Sequence, residues 1–447
     1  MTAASGKSWP HMTSREEFRF LSDLVFTRSS ADHAVVSLHD RHAGTTRFAN
    51  NQVVQNVDTR RGTLSVRVAF DGRQGTASTT DFTAGAIQDA VTRAERIARV
   101  SPVDPEYLPP PDPCAFAMRA TAKPETAGAG PARRLEYTNE AISQCRMENL
   151  MAAGVVSSSM TAVGIAANNG LFGYEQRGDA RFSLTVQAGE ATGWSAAAHR
   201  SIDHLKVQER TLVAIKKAKS GRDVQELSPG TYPVILEPAA VAGLWTWLMW
   251  SLDAKSYAKG TSPFAGKLGR LIVDERLSLR NSPDHPDLLG EGFTADGLPS
   301  LASVWIEHGV LRQLVHNRFT AKTDGVDPVP TLDAPALSVE GLPVASIQDL
   351  VKNSERAILV TNFWYIRPVN HHNLLLTGMT RDGTFLVEKG EVVSAVKNFR
   401  FHESPLVAFR QVEAWTRPME AVNSEIGKML VPAMVLPRFT FSSMTRF

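Results

Sequence analysis

The first half of the chain shifts between helical and strand-like spacing of its apolar residues. A capping box formed by Ser14 and Glu17 predicts the start of a first helix. From residue 34 to residue 77, apolar and polar positions alternate with a period of two and are interrupted by short turn signals, which is typical of an antiparallel meander of short strands. The 3.6-residue spacing predicts two further helices, at about 81–99 and 131–147.

Further along, long strands are predicted at about 151–168 and 173–188, followed by a helix at about 205–218. Ser228-Pro-Gly then interrupts the pattern, and a domain boundary is expected there. Beyond this point, short apolar runs are separated by glycine turns. Residues 304–315 and 384–401 each have the form of a strand, a glycine turn and a second strand, which predicts two β-hairpins.

These patterns predict an α+β protein. A disordered tail is expected at 1–13, and an N-terminal α/β domain with an antiparallel sheet and helices at 14–228. A C-terminal β-rich domain is expected at 229–447. A chain of 447 residues is long enough for each of these domains to bury its own core.

Charge and cysteine usage narrow the function classes. Lys and Arg number 48 against 46 Asp and Glu, so the net charge of +2 gives no electrostatic case for nucleic acid. Two cysteines exclude a disulfide framework. The first residues lack the apolar stretch of a secretory signal, and the most apolar run, 239–252, is shorter than the roughly 20 residues of a membrane span. A cytoplasmic protein without membrane contact is therefore expected.

Several segments resemble the TldD/PmbA (TldD/TldE) family of zinc metallopeptidases. The junction PVILEP at 233–238, a buried strand running into an apolar helix, is similar to the family's strand–helix junction. The segments RGTLSVRVAFDGRQG (61–75), SPFAGKLG (262–269) and FTADGLP (293–299) resemble family signatures in the same order. The hairpin at 378–390 is similar to one near the end of the fold. Each match is weak, but their order and spacing make the resemblance specific.

The resemblance implies a β-rich, barrel-like second domain, dimers, and an enclosed site for unfolded peptides. In the TldD-type subunit, the helix carries a His-Glu-x-x-x-His motif, and these positions fall here on Thr246, Trp247 and Ser251. Hydroxyls are poor zinc ligands and indole is none. A further ligand in the TldD type is a cysteine near the end of the chain, but the last cysteine here is Cys145.

The chain therefore resembles the TldE/PmbA-type subunit. No cofactor is expected on this chain, because zinc is expected on a TldD-type partner. The two subunits would form a heterodimer, and the alternative is a homodimer of this chain. It is expected to take part in proteolysis without being catalytic.

The segment NFWYIRPVNHHN at 362–373 supplies the candidates for substrate binding. Aromatic rings offer flat apolar surface, and an arginine can hold a carboxylate through two hydrogen bonds. The candidate residues are Trp364, Tyr365, Arg367 and His371, together with the more distant Arg381. The alternative interpretation is a strand with buried aromatic residues and a structural arginine.

Three other interpretations of the sequence stay open. His371 and His372 with His402 and Glu403 could form a separate metal site, although adjacent strand residues face opposite sides of a sheet. The protein could also be a homodimeric binding protein without a peptidase role, or an enzyme whose chemistry has moved to the region from Trp364 to His372.

Overall fold

The computed structural model describes residues 11–119, 121–221, 224–329, 332–423 and 427–445. Most of the predicted N-terminal tail lies outside these residues. Within it, Thr13 donates two hydrogen bonds to a carboxylate oxygen of Asp40, from its backbone N and from Oγ1, at 2.9 and 2.8 Å.

The residues before 222 form an antiparallel six-stranded sheet and the helices that pack on it. The strand order is β3-β2-β1-β4-β5-β6. The elements are α1 (Arg15–Arg28), β1 (His33–Ala49), β2 (Gln52–Phe70), β3 (Arg73–Thr79), α2 (Ala84–Val100), α3 (Pro124–Ala127), α4 (Pro131–Met147), β4 (Met151–Ala167), β5 (Phe172–Ala188), β6 (Ala191–His199), a 3₁₀ turn (Ile202–Leu205) and α5 (Val207–Ser220).

Strands β1 and β2 are longer than the sequence predicts. β1 and β2 pair over almost their whole length, with one register shift near Phe48, so the predicted short strands merge into two long ones. The segment around Gly62, predicted as a connection, stays in the ladder because Gly62 pairs with Asp40. The Asp40 carboxylate also accepts hydrogen bonds from the guanidinium of Arg60, which keeps the two strands together here.

The second half of the described chain contains two further sheets. Their strand orders are β11-β10-β9-β12-β19-β18 and β13-β8-β20-β16-β14-β15-β7, and β17 pairs with β20. The elements are β7 (Val224–Gln225), β8 (Gly230–Leu236), α6 (Pro238–Trp250), α7 (Ala254–Ala258), β9 (Leu277–Asn281), β10 (Ser303–Glu307), β11 (Val310–Leu311), α8 (Arg318–Asp324), β12 (Pro335–Val339), α9 (Ile347–Lys352), β13 (Arg356–Asn370), β14 (Leu375–Glu388), β15 (Glu391–Val396), β16 (Phe399–Glu403), α10 (Pro405–Ala408), β17 (Ala414–Trp415), β18 (Met419–Asn423), β19 (Gly427–Val431) and β20 (Met434–Met444).

Five of these strands close into a barrel. β13 pairs with both β8 and β14, so the order β13-β8-β20-β16-β14 returns to its start. Buried phenylalanines on β13, β16 and β20 contact one another, with ring centroids 4.6–5.5 Å apart. Such a small barrel is filled by side chains rather than water. The α+β class and the barrel-like C-terminal domain are therefore confirmed.

The two halves are held together by buried polar contacts beside β6. The carboxylate of Glu420 on β18 accepts a hydrogen bond from the backbone N–H of Ala198 at 2.7 Å and pairs with Arg210 at 2.9 Å. The ammonium of Lys428 donates to the carbonyl of Ala198 at 2.6 Å. Lys428 is buried, and Glu420 and Arg210 are only partly exposed, so separating the halves would break hydrogen bonds that are largely shielded from water.

The apolar helix α6 is a core helix. It ends at Trp250, with Ser251 as its C-cap. Every residue from Pro238 to Thr246 is buried, because α6 packs on β13, β18 and β19. Within the described ranges, no helix combines the length and apolar character needed to cross a membrane.

Candidate functional site

The three positions at which the sequence predicts a degenerate zinc motif lie on the last turns of α6 and at its cap. Thr246 is fully buried, and its Oγ1 donates to the carbonyl of Ala242 at 2.7 Å. Ser251 Oγ donates to the carbonyl of Trp247 at 2.8 Å. Both hydroxyls therefore bond to carbonyls of their own helix, four residues back.

These residues do not fit a zinc ion. Zinc sites use thiolate, imidazole or carboxylate ligands. Threonine and serine hydroxyls are poor substitutes, and the indole N–H of Trp247 can only donate. Trp247 instead packs edge-to-face on Trp250, with ring centroids 5.2 Å apart. In the part of the chain that the structure describes, no group of three or more His, Cys, Asp or Glu side chains is placed to hold a metal ion.

The histidines proposed as a separate metal site are dispersed. His371 and His372 lie exposed in the turn after β13, and His402 is exposed on β16. Glu403 is buried, and its two carboxylate oxygens accept hydrogen bonds from the backbone N–H groups of Ser404 and Thr440, both at 3.0 Å. The carboxylate of Glu403 is thus already used within the barrel wall.

A buried ion pair anchors the start of α6 to the first half of the chain. Glu237 is the N-cap residue, and its backbone N–H donates to the carbonyl of Val360 on β13 at 3.0 Å. Its carboxylate accepts a hydrogen bond from Lys217 Nζ on α5 at 2.6 Å. Lys217 also donates to the carbonyl of Trp194 at 3.3 Å. The position of α6 therefore depends on contacts from both halves.

Four of the five candidate binding residues form one stacked row, which we call the Arg–aromatic row. The guanidinium carbon of Arg381 lies 4.3 Å from the ring centroid of Trp364. The rings of Trp364 and Tyr365 are 5.6 Å apart, and the guanidinium of Arg367 lies 4.3 Å from the Tyr365 ring. At these distances each cation interacts with the face of its ring. His371 lies in the adjoining turn and is not part of the row.

The row depends on an irregularity in β13. Neighbouring strand residues normally point to opposite faces. Here the pairing with β14 shifts between Trp364 and Arg367, and Tyr365 has a φ of 55°. As a result, Trp364 and Tyr365 are both on the surface, 48% and 55% exposed, although they are adjacent. The sequence-based alternative of buried aromatic residues is wrong for these two side chains.

Arg381 is placed by a second irregularity, in β14. The sequence suggests a hairpin turn at Arg381-Asp-Gly, but the segment lies inside the strand and the register shifts opposite it. Asp382 and Gly383 both have positive φ, at 55° and 129°. A Cβ on Gly383 would lie 2.7 Å from Thr361 Oγ1, so glycine is required both by the backbone conformation and by the available space.

The row borders a cavity of about 750 Å³ between the two halves of the protein. Glu190 and Thr192, at the turn between β5 and β6, line one side, and Trp364 and Arg381 line the other. Since both halves contribute to its wall, neither half of the chain forms this cavity alone.

A polar wall lies deeper in the same cavity. The hydroxyls of Thr380 and Thr384 donate to Asn398 Oδ1 at 3.3 and 3.2 Å. These two bonds fix the orientation of the Asn398 amide. Its Nδ2 makes no hydrogen bond to the described residues and can donate to a ligand. Such a donor can pair with a peptide carbonyl. None of these three residues stood out in the sequence, because Thr and Asn in a strand carry no motif.

One carboxyl of the cavity is unusual. Burial raises the pKa of Asp382 above its ordinary value of 3.8, while the adjacent Arg381, at 3.4 Å, and a hydrogen bond with Thr185 oppose the rise. A buried carboxyl with a raised pKa in a cleft is a common feature of functional sites and also of structural networks. The cavity thus combines flat aromatic surface, a cation, the side-chain amide of Asn398 and one buried carboxyl whose pKa is raised.

Comparisons with known proteins agree along the chain. Three protein-family models match in order: PmbA/TldA metallopeptidase domain 1 at residues 34–98, the central domain at 104–220 and the C-terminal domain at 229–443. None of the curated proteins gives a significant match.

Solved structures share the fold at low sequence identity. The structure of TldE from Thermococcus kodakarensis is 19% identical, with a TM-score of 0.85, over 96% of this chain and 100% of that one. A Thermotoga maritima structure, named as a proposed modulator of a DNA gyrase, is 19% identical with a TM-score of 0.84, over 95% and 100% of the two chains. A similarly named Bacteroides thetaiotaomicron structure is 18% identical with a TM-score of 0.80, over 97% and 100%.

Proposed function

This chain belongs to the PmbA/TldD metallopeptidase family, and on that premise we propose that it is the TldE-type subunit of a TldD/TldE-type peptidase. In this proposal a TldD-type partner carries the zinc ion and hydrolyses the peptide bond. The present chain completes the enclosed site and helps to hold an unfolded peptide. It carries no cofactor of its own.

The observation that carries the proposal is the chemistry of helix α6. The resemblance aligns the family's His-Glu-x-x-x-His motif with Thr246, Trp247 and Ser251, and the hydroxyls of Thr246 and Ser251 already bond to helix carbonyls. Neither Cys114 nor Cys145 lies in the C-terminal domain, where the TldD type has its ligand cysteine. A chain that has the family's fold but no suitable zinc ligands on α6 fits a supporting subunit better than a second catalytic centre.

A role in holding peptide is supported by the Arg–aromatic row and the cavity beside it. Trp364 and Tyr365 offer exposed ring surface to apolar side chains of an extended peptide. Arg381, with its guanidinium stacked on Trp364, can pair with a peptide carboxylate. The amide of Asn398 can bond to the peptide backbone. We therefore propose unfolded peptide as the ligand of this cavity.

The first experiment measures metal content, native mass and peptide cleavage on the same samples. The chain is purified alone and after co-expression with a TldD-type protein of the same organism. The proposal predicts a metal-free, inactive chain alone and a zinc-containing, peptide-cleaving heterodimer after co-expression. A chain that alone binds one equivalent of zinc and cleaves an unfolded peptide contradicts it. A homodimer that does not associate with the co-expressed TldD-type protein favours a binding protein without a peptidase role.

The second experiment tests the row within the heterodimer. Trp364→Ala and Arg381→Gln should raise the KM for an unfolded peptide by about fivefold to tenfold, with little change in kcat, because they remove binding contacts rather than chemistry. Val369→Ala and Arg356→Gln are matched controls, since both residues are exposed on the same strand, β13. An unchanged KM in both row variants refutes the binding role.

The same variants also address an enzyme whose chemistry has moved to the region from Trp364 to His372. In that case the chain purified alone should be active, and the row variants should lower its kcat strongly rather than raise its KM. An activity of the isolated chain that Arg367→Ala leaves unchanged would count against relocated chemistry at this place.

A further inference from the structure

The Arg–aromatic row presents two adjacent rings to the solvent. Trp364 and Tyr365 are 48% and 55% exposed, their ring centroids are 5.6 Å apart, and their ring planes are inclined by 43°. Met379 on β14, which pairs directly with Trp364, lines the same cavity and adds apolar surface beside the rings. Neighbouring exposed aromatic rings of this kind form the grooves in which proline-rich peptides bind in the polyproline II conformation.

The distance between the two rings fits the rise of a polyproline II chain. Such a chain advances about 3.1 Å per residue, so two residues separated by one other lie about 6 Å apart along its axis. This is close to the 5.6 Å between the ring centroids. A Pro-x-Pro segment can therefore place one proline on Trp364 and the other on Tyr365.

The side chains on this side of the cavity offer mainly hydrogen-bond donors. Among the described residues, neither the indole N–H of Trp364 nor Nδ2 of Asn398 makes a hydrogen bond. The carboxyl of Asp382 already pairs with Arg381 at 3.4 Å. Proline has a carbonyl acceptor but no backbone N–H. A proline-rich segment therefore needs donors from its binding site and few acceptors, which is what these side chains provide.

A peptide that adds to β13 as a further strand fits this place less well. Pairing of strands needs a regular ladder of backbone N–H and C=O groups. Between Val360 and Asn370, the pairing of β13 with β14 shifts at three places, and Tyr365 has a φ of 55°. The backbone beside the row is therefore irregular, and side chains have to supply the contacts with a peptide.

We propose that the row is a subsite that selects proline in an unfolded peptide. The peptide binds in the polyproline II conformation, with Pro-x-Pro stacked on Trp364 and Tyr365, and its carbonyls accept hydrogen bonds from Trp364 Nε1 and Asn398 Nδ2. This conformation leaves every backbone carbonyl free, because it has no internal hydrogen bonds. A proline-rich segment is also stiff before it binds, so it loses less entropy on binding. The proposal rests on the function proposed above and names the class of peptide that the site prefers.

The test compares the binding of three short peptides to the full chain by isothermal titration. Each peptide is capped at both ends and consists of Gly, Ser and Gln residues around a central Pro-Ala-Pro, Ala-Ala-Ala or Val-Ala-Val. The Pro-Ala-Pro peptide should bind about fivefold to tenfold more tightly than the other two, because it stacks on both rings. The valine peptide separates this preference from general apolar contact.

Variants of the chain locate the preference. Trp364→Ala should reduce the difference between the peptides to about twofold or less, whereas Trp364→Phe keeps a ring and should keep part of it. Asn398→Asp keeps the acceptor oxygen for the two threonine hydroxyls but removes the N–H donor, so it should weaken binding of the Pro-Ala-Pro peptide about threefold or more. Val369→Ala is the matched control, since Val369 is exposed on β13 outside the row, and it should leave the preference unchanged.

The outcomes separate this proposal from the function on which it rests. If the three peptides bind equally well and Trp364→Ala weakens all of them by the same factor, the selection of proline is overturned, while the row still holds peptide. If no peptide binds, or if Trp364→Ala and Trp364→Phe bind every peptide as tightly as the unmodified chain, both the selection of proline and the peptide-binding role of the row are overturned.

Discussion

The ion pair between Lys217 and Glu237 allows a quantitative test of how α6 is held. Its perturbation is Lys217→Met, which keeps the length and packing of the side chain and removes its charge. The variant leaves the Glu237 carboxylate, only 11% exposed, without its ammonium partner. Because Glu237 is the N-cap residue of α6, an unpaired carboxylate there should destabilise the start of the helix that carries the degenerate motif.

The expected magnitude follows from burial. Breaking a fully buried pair by removing one partner costs about 3–5 kcal/mol. The two side chains are 19% and 11% exposed, so partial hydration of the remaining charge reduces the cost to about 2–3 kcal/mol. Glu237→Gln should cost less, about 1–2 kcal/mol, because the remaining ammonium still reaches the carbonyl of Trp194. The double variant should cost about 1–2 kcal/mol less than the sum of the two.

The assay is urea unfolding followed by tryptophan fluorescence. Six of the eight tryptophans of the chain lie beyond residue 229, the other two being Trp9 and Trp194, so the signal reports mainly on the C-terminal half. The matched control is Lys219→Met on the same helix, α5. Its partner Glu148 lies on the surface, and that pair should contribute no more than about 1 kcal/mol.

Two results would refute this reasoning. The first is a loss of stability in Lys217→Met no larger than that in Lys219→Met, which would mean that the buried pair is no stronger than a surface pair. The second is a double variant whose loss equals the sum of the two single losses, which would mean that Lys217 and Glu237 act independently.

Three further predictions concern Asp40, Asp382 and Gly383. Burial by itself raises the pKa of Asp40, but hydrogen bonds from Arg60 and Thr13 lower it below 3.8, so its stabilisation is complete above pH 3.8 and is lost as the pH falls through the folded value. Asp40→Asn should therefore lower the free energy of unfolding at pH 7 by about 1–2 kcal/mol and make that free energy depend less on pH below pH 3.8. The same pH dependence in the variant and the unmodified chain would contradict this. The pKa of Asp382 is raised by burial, so the unfolded state ionises first and stability falls as the pH rises from about 3.8 through the folded value. Asp382→Asn should raise the thermal midpoint at pH 7 and leave that at pH 3 nearly unchanged, and a lower midpoint at pH 7 would refute the prediction. Gly383→Ala should cost about 1–3 kcal/mol because of its positive φ and the contact with Thr361, and calorimetry showing no loss would disprove the strain.

Local signals in the sequence predicted local structure well. The capping box at Ser14 begins α1, and the helix predicted from Pro131 spans Pro131–Met147 in the structure. Apolar spacing and helix signals act over a few residues, and those residues are adjacent in the chain. The closed barrel was expected only through the family resemblance, since its ring joins strands such as β8 and β20 that no local pattern connects.

The residues of the Arg–aromatic row were singled out from the sequence, but their stacked arrangement was not predicted. The aromatic and basic composition of 362–373 made Trp364 and Arg367 candidates for substrate binding. Their stacking depends on two bulges, one in β13 and one in β14. The bulge at Tyr365 has no glycine to mark it, and the one at Asp382 looks like a turn in the sequence. Lys217 and Asn398 act through partners in other segments of the chain, so their roles become visible only in three dimensions.

The closure of the barrel has a consequence for how the protein is made. β8 lies between β13 and β20, and about 200 residues separate β8 from β20 in the chain. During synthesis, the backbone of β8 therefore lacks its β20 partner until nearly the whole second half has left the ribosome, and α6 cannot pack in its final place before then. An incomplete nascent chain exposes Val234, Ile235 and Leu236 to other chains, which makes it a substrate for chaperones and prone to aggregation. Seating of α6 is then one of the last events of folding, after the first sheet has formed.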